Sequence, residues 1–382
     1  MEIQDFINFR KELHQYPELS GKENKTKQKI LLFTKQFQAD KIIEVGKTGI
    51  ILYYKGNVNS DKAILIRSEL DALPIQEIND FAHASKIPNV SHKCGHDGHS
   101  VILCRLAYLL QEHREDYANV YLLFQPAEEN GKGAREVYED PKFKNIALDT
   151  VIALHNIPGF PLHQVLLKRG AMTPAVRSMI IKFKGKTSHA AEPELGNNPA
   201  KAMAEFMLFA LNQSNNDTKK EDFFLVTPVY TEMGEKSYGV SAGYGEVHIT
   251  IRTWETALLY EKSEFLSLEV AKIAKQNNLD VAISWTEEFE ANKNDEKIIN
   301  LVEDAAKKLK MSSTYLKEPR KWGEDFGLFT NHFQGAMFGI GSGLKQAALH
   351  NPDYDFPDEL IESASNLFLE IIKNYFHVGK KH

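Results

Sequence analysis

The stretch SHKCGHDGHSVILCRLAYLL, Ser91–Leu110, decides how this chain is read. Its second part, from Ser100 to Leu110, has the strongly apolar character of a helix. Its first part places His92, Cys94, His96, Asp97 and His99 within eight positions. Thiolate, imidazole and carboxylate are the side chains that bind transition metals. The motif therefore reads as a strand-to-helix loop, the place where open α/β sheets bind ligands. Gly95 and Gly98 let the backbone approach a site closely. Histidines that merely cap the helix are the alternative for any one of these residues.

Working outward, short apolar runs surround the motif. GIILYY (Gly49–Tyr54) and AILIRSELD (Ala63–Asp71) are separated by Gly56, Asn57 and Asn59, which predicts a hairpin. VYLLFQ (Val120–Gln125) and VIALHN (Val151–Asn156) read as buried strands. Ile3, Phe6, Ile7, Phe9 and Leu13 form one helical stripe, and 24–37 a second amphipathic helix. Strands alternating with helices predict a mostly parallel α/β sheet. The pattern changes after Gly170. RSMIIKFKGK (Arg177–Lys186) alternates, a helix is expected over 199–212, and an alternating strand follows over 246–254. A helix over 261–276 and a strand over 280–286 complete a βαββαβ-like order, a small antiparallel sheet with helices on one face. A helix over 296–308, a buried strand at Ala336–Gly341 and a closing helix over 360–375 come last. The expected organisation is an α/β domain over 1–174 and 291–382, interrupted by an α+β insert at 175–290.

Composition bounds the function. The 382 residues are 42% hydrophobic and 26% charged, enough for a sizeable core. With 46 basic and 52 acidic residues the net charge is −6, which argues against a nucleic-acid or anionic-membrane partner. No apolar run approaches the ~20 residues that span a bilayer. MEIQDFINFRKELHQ lacks the apolar centre of a signal peptide. Cys94 and Cys104 are too few for a disulfide scaffold, so a cytoplasmic location is expected.

Further chemistry lies at other strand ends. QPAEE supplies Glu128 and Glu129; adjacent carboxylates point apart, so one can bind a metal while the other stays free as a general base. Two glutamates opening a helix would suit its dipole equally well. ALHN places His155 after a buried strand, and ALHNPDYDF places His350 just before the last helix. Each is ordinary by itself. Together they describe carboxylates and imidazoles converging on the C-terminal edge of one sheet. Cys104 sits on an apolar helix face and reads as core. His92 and His99 read as supporting groups, while His14, His83, His113, His163, His248, His332, His377 and His382 show no ligand spacing.

RSELDALP (Arg67–Pro74), CGHDGH, FQPAEE, LHN, SHAAEP (Ser188–Pro193) and LHNPDYDF follow one another in an order that resembles a known family. It is that of the metal-dependent amidohydrolases, which includes aminoacylases, hippurate hydrolases, auxin-conjugate hydrolases and N-acetyl-diaminopimelate deacetylases. The resemblance covers nearly the whole chain, starting at FRKELHQYPELSGKE (Phe9–Glu23). It implies a zinc-exopeptidase-like α/β fold, a mixed sheet flanked by helices, with an inserted ferredoxin-like α+β lid or dimerisation domain. It also implies two divalent metals, zinc or manganese first and cobalt or nickel as alternatives, on Cys94, His96, Glu129, His155 and His350. Glu128 would be the general base for hydrolysis of an N-acyl amino acid or related small amide. His189 would stabilise the oxyanion, in homologous dimers from the partner subunit. Asp71 would orient a ligand by hydrogen bond, and Glu324 or Asp325 of GEDFG would organise the loop beside the site. Arg252 would either grip a substrate carboxylate or form a salt bridge on the wet face of its strand. The glycine-rich GIGSGLKQAALHN (Gly339–Asn351) would accept a substrate carboxylate on backbone N–H groups. The implied partners are a small-molecule substrate and a second copy of the chain, joined through the insert. A metallodipeptidase and a catalytically silent metal-binding dimer remain as alternatives. Two departures stand out: Glu69-Leu70-Asp71 where relatives usually carry Asp-Met-Asp, and no Asn-x-Ile-Pro element ahead of Arg252.

Overall fold

A computed structural model describes residues 1–377, so His382 and the end of the 291–382 segment lie outside it. The chain forms two compact units, one of 1–172, 292–317 and 324 onward, the other of 173–291 and 318–323.

The first unit is built on an eight-stranded mixed sheet. Its spatial order is Lys41–Val45, Gly49–Lys55, Asn119–Gln125, Ala63–Glu69, Thr150–Ile157, Gln334–Gly341, Val165–Leu167 and Ser313–Tyr315. The four strands from Asn119–Gln125 to Gln334–Gly341 are mutually parallel. Ala63–Glu69 and Thr150–Ile157 are buried at every position, as central strands covered on both faces must be. The helices Ile3–Gln15, His96–Glu112 and Leu360–His377 contribute Phe6, Phe9, Leu103, Leu106, Leu367 and Phe368 to one continuous core. Each such side chain, once buried, contributes roughly 1.5–3 kcal/mol.

The expected hairpin between Gly49–Tyr54 and Ala63–Asp71 does not form. Gly49–Lys55 pairs antiparallel with Lys41–Val45 on one side and with Asn119–Gln125 on the other. The turn that closes a hairpin comes one element earlier, at Gly46, whose φ of +55° suits glycine. Ala63–Glu69, apolar on both faces, instead takes parallel partners on both sides. The sheet is consequently mixed rather than mostly parallel. The helix expected over 24–37 ends at Thr34 and tightens into a single 3₁₀ turn, Lys35–Phe37.

The second unit is a four-stranded antiparallel sheet in the order Phe224–Met233, Tyr244–Thr253, Ala175–Lys184, Asp280–Phe289. The helices Ala200–Asn212 and Thr256–Gln276 complete a ferredoxin-like βαββαβ unit. Alternation decides which sheet face is covered: Met179, Ile181, Phe183, Val247, Ile249 and Ile251 pack with Phe206, Leu266 and Val270.

The helix expected from Ser100 begins four residues earlier, at His96, with Gly95 at its N-cap in a left-handed conformation (φ +95°). His96, Asp97 and His99 therefore stand in the first helical turn. A Cβ on Gly98 would lie 2.4 Å from the Phe356 ring, so only glycine fits beneath that ring. The N-terminal helix anchors the same turn from below. The fully buried Arg10 pairs with Asp97 (3.3 Å), Asp355 (2.7 Å) and Asp358 (2.8 Å). His14 meets Asp97 Oδ2 through Nδ1 (2.8 Å) and Glu77 Oε1 through Nε2 (3.2 Å). Burial disfavours the charged imidazole, but the Asp97 charge and the two hydrogen bonds prevail and raise His14 to about 9.

Two outcomes follow from this anchoring. Gly98→Ala should destabilise the protein by about 1–3 kcal/mol through overpacking against Phe356; a denaturant midpoint equal to wild type would contradict it. Because His14 is raised above its ordinary 6.5, the stability it contributes is complete below about pH 6.5 and lost as pH rises through about 9. Denaturation in the presence of chelator should show that loss in the wild type and a flatter profile in His14→Gln.

Candidate metal centre

Four adjacent parallel strands lead into the residues singled out above. Ala63–Glu69 ends in Glu69 and continues to Asp71. Asn119–Gln125 continues through Pro126 and a left-handed Ala127 (φ +51°) to Glu128 and Glu129. Thr150–Ile157 carries His155, and Gln334–Gly341 leads to the loop of His350, itself left-handed (φ +67°). The ligand atoms of Cys94, His96 and His155 all lie within 4.8 Å of one another. So do those of Cys94, Glu129 and His350, and those of His96, Glu128 and Glu129. These overlapping trios bring six sequence-nominated residues into one cluster within the first unit. Cys94 Sγ stands 3.5 Å from His155 Nε2. His96 Nε2 is 3.8 Å from both Glu128 Oε2 and Glu129 Oε1, and His350 Nε2 is 3.6 Å from Glu129 Oε1. All are buried or nearly so except His350, whose side chain is 52% exposed.

The donor set fits a transition metal. His96 Nδ1 donates to the Asp71 carbonyl (2.9 Å), which leaves Nε2 with its lone pair. That Nε2 and Glu129 Oε1 are buried without a hydrogen-bond partner. His155 uses Nδ1 on the Asn156 carbonyl (2.9 Å), and its Nε2 is turned toward Cys94 Sγ. Buried polar atoms are rarely left unsatisfied, and sulfur, imidazole and carboxylate together suit a divalent transition ion.

Burial and the crowding of like charges shift the proton affinities of the whole cluster. Burial pushes Glu128 well above the usual carboxylate range, and the charges of Glu324, Glu129 and Asp325 add to it. Burial brings Glu129 up to about 7, against the opposing charge of His96. Burial, then Glu129 and Glu128, push the Cys94 thiol up. Burial works against a charged His96, yet its hydrogen bond to Asp71 and the charges of Glu69 and Glu129 raise it to about 10.

Around the cluster lies a second ring of polar groups. Asp71 Oδ2 accepts from Ser20 Oγ (2.7 Å) and the Glu129 N–H (3.0 Å), so this carboxylate ties the Glu129 backbone to His96. Glu324, fully buried, pairs with Arg67 Nη2 (2.8 Å), and Asp325 pairs with the same nitrogen (2.7 Å). Arg67 also bonds Glu69 and reaches Gln125 Oε1 (2.9 Å). Glu69 Oε2 accepts from His99 Nδ1 (2.7 Å), and His99 Nε2 meets Asn156 Oδ1 (2.6 Å). With both ring nitrogens engaged, His99 supports the cluster rather than facing it. Sequence reading passed over Arg67, and a charged residue inside the apolar run AILIR was its available signal.

His189 and Arg252 belong to the second unit. His189 is exposed on the two-residue strand Ser188–His189, and its Nδ1 accepts the Ala191 N–H (3.1 Å). Arg252 lies on Tyr244–Thr253, with Nη1 buried and lacking a hydrogen-bond partner.

Similarity to known proteins follows the same lines. The chain is 31% identical to the N-acetyl-L-cysteine deacetylase of Bacillus subtilis, over 96% of this chain and 87% of that one. It is 28% identical to the hippurate hydrolase of Campylobacter jejuni, over 97% and 96% of the two chains. A Bacillus subtilis crystal structure described as a dinuclear metal binding peptidase of the M20 family superposes with a TM-score of 0.83 at 28% identity, covering 98% of both chains. The pattern of Peptidase family M20/M25/M40 matches residues 65–374, and the chain belongs to that family.

Proposed function

We propose that this chain hydrolyses the amide bond of an N-acyl amino acid or a related small N-acyl substrate, with two divalent metals as cofactors. The observation that carries the reading is the gathering of Cys94, His96, Glu129, His155 and His350 around unsatisfied donor atoms, with Glu128 beside them. The deacetylase and hydrolase names of the relatives point the same way. Those five residues would hold the metals, zinc or manganese first. Bound there, the cations would acidify a water and polarise the substrate carbonyl.

The chain's own groups do the rest. Glu128, buried and with its proton affinity raised, takes the proton of the attacking water on its carboxylate and returns it to the departing nitrogen. Asp71 holds His96 in the tautomer that presents Nε2. Glu324 and Asp325 hold Arg67, which fixes Glu69 and, through it, His99. His189 stabilises the developing oxyanion, from its own chain or from a partner in a homodimer formed through the insert. Its Nδ1 is an acceptor, so Nε2 carries the proton and is open to donate. Arg252, with an unmatched guanidinium nitrogen, receives the substrate carboxylate. A cytoplasmic location accords with two free, buried cysteines, and no helix among the described residues is long and apolar enough to cross a membrane.

Glu128→Gln should lower turnover of N-acetyl and N-benzoyl amino acids by roughly 10²–10⁴-fold. Its metal content, measured by elemental analysis, should stay that of the wild type; retained turnover would refute the assignment. Because the ligands span Cys94 to His350, metal should also protect the fold by mass action. Each ion present at a hundred times its Kd would add about 2.7 kcal/mol. A calorimetric Tm indifferent to chelator would count against a bound metal.

A further inference from the structure

Lys93 precedes Cys94, yet its side chain serves a different part of the molecule. It is fully buried, and its ammonium meets three acceptors: the Glu77 carboxylate, Asn79 Oδ1 (2.9 Å) and the Tyr354 carbonyl (2.7 Å). Three donors are thereby matched by three acceptors, which is what a buried ammonium requires. The Lys93 carbonyl in turn accepts the His350 N–H at 2.8 Å. Glu77 and Asn79 lie in the irregular segment 72–90, which grips the same downstream loop at further points. Ile78 N–H bonds the Pro352 carbonyl (3.2 Å), Asn79 Nδ2 the Asp353 carbonyl (3.1 Å), and His83 Nε2 meets Asp355 Oδ2 (2.9 Å). Lys93 is the point at which the metal loop, segment 72–90 and the His350 loop are joined.

His350 needs such a tie more than its neighbours do. It is the exposed member of the cluster and stands in a left-handed backbone conformation. A non-glycine residue keeps that strained conformation only where its surroundings hold it. The ties at both ends of its turn run to Lys93: the His350 N–H to the Lys93 carbonyl, and the Tyr354 carbonyl to the Lys93 ammonium. His96 and His155 are fixed differently, by the backbone carbonyls of Asp71 and Asn156.

We propose that Lys93 is a positioning residue for His350, and that the cation held by Cys94, Glu129 and His350 depends on Lys93 while the one held by Cys94, His96 and His155 does not. This rests on the two-metal reading above. The test is titration of zinc into chelator-stripped full-length protein, followed by calorimetry and elemental analysis. Wild type should take up two ions per chain. Lys93→Met, which keeps length and removes the charge, should retain one ion at wild-type affinity and bind the other about 10- to 100-fold more weakly. His350→Ala should reproduce that selective loss. Two ions at wild-type affinity in Lys93→Met, or equal weakening of both, would overturn the proposal. Should Lys93→Met fail to fold, Asn79→Ala decides in its place. It removes one acceptor of the ammonium and one bond to the 353 carbonyl, and should weaken the same single ion; unaltered binding of both would overturn the proposal. Fewer than two ions in the wild type would refute the two-metal reading itself, before any variant is compared.

Discussion

Six carboxyl groups, those of Glu69, Asp71, Glu128, Glu129, Glu324 and Asp325, are withdrawn from water around one cluster, and the buried guanidinium of Arg67 is paired with three of them. An unpaired buried ion costs several kcal/mol, so negative charge on this scale has to be matched group by group. Arg67 answers for Glu69, Glu324 and Asp325, and the histidines at 96 and 99 lie against Asp71 and Glu69. Glu128 and Glu129 are left over. Burial first, and then the neighbouring carboxylates that no cation offsets, raise their proton affinities. The demand that makes the site hospitable to cations is thus the same one that makes Glu128 ready to hold a proton.

The scaffold turns this electrostatic demand into geometry. Four parallel strands side by side deliver their following residues to one edge, and the helix His96–Glu112 starts there. Asp97 in its first turn favours the positive end of the helix dipole and is itself locked by Arg10 and His14. The N-terminal helix, remote in sequence, is in this way part of the cluster's foundation.

How much of this could be read from residues alone depended on distance along the chain. The metal-type residues of 92–99 were legible because their chemistry is packed into one loop, and Glu128, Glu129 and His155 because each follows an apolar strand. The βαββαβ pattern of the insert was legible because alternation in Arg177–Lys186 and 246–254 separates a wet face from a dry one. The false hairpin between Gly49–Tyr54 and Ala63–Asp71 shows the limit: turn residues mark a break in the chain but not which strands then pair. Pairing was settled by Asn119–Gln125, which enters between the two runs from fifty residues downstream. The polar support was illegible for the same reason. Arg67 finds Glu324 and Asp325, His14 finds Asp97, and Lys93 finds Tyr354 only once the sheet has folded. Apart from the place of Arg67 inside an apolar run, nothing local distinguishes those residues from ordinary charges.

Phe356 closes the cluster from the other side. Its ring lies against both Gly95 and Gly98 and stands edge-on to His99, so an aromatic residue near the end of the chain limits the size of side chains in a motif near its beginning. The two places are therefore bound together in inheritance. Enlarging position 98 costs stability that trimming or displacing the ring at position 356 would return.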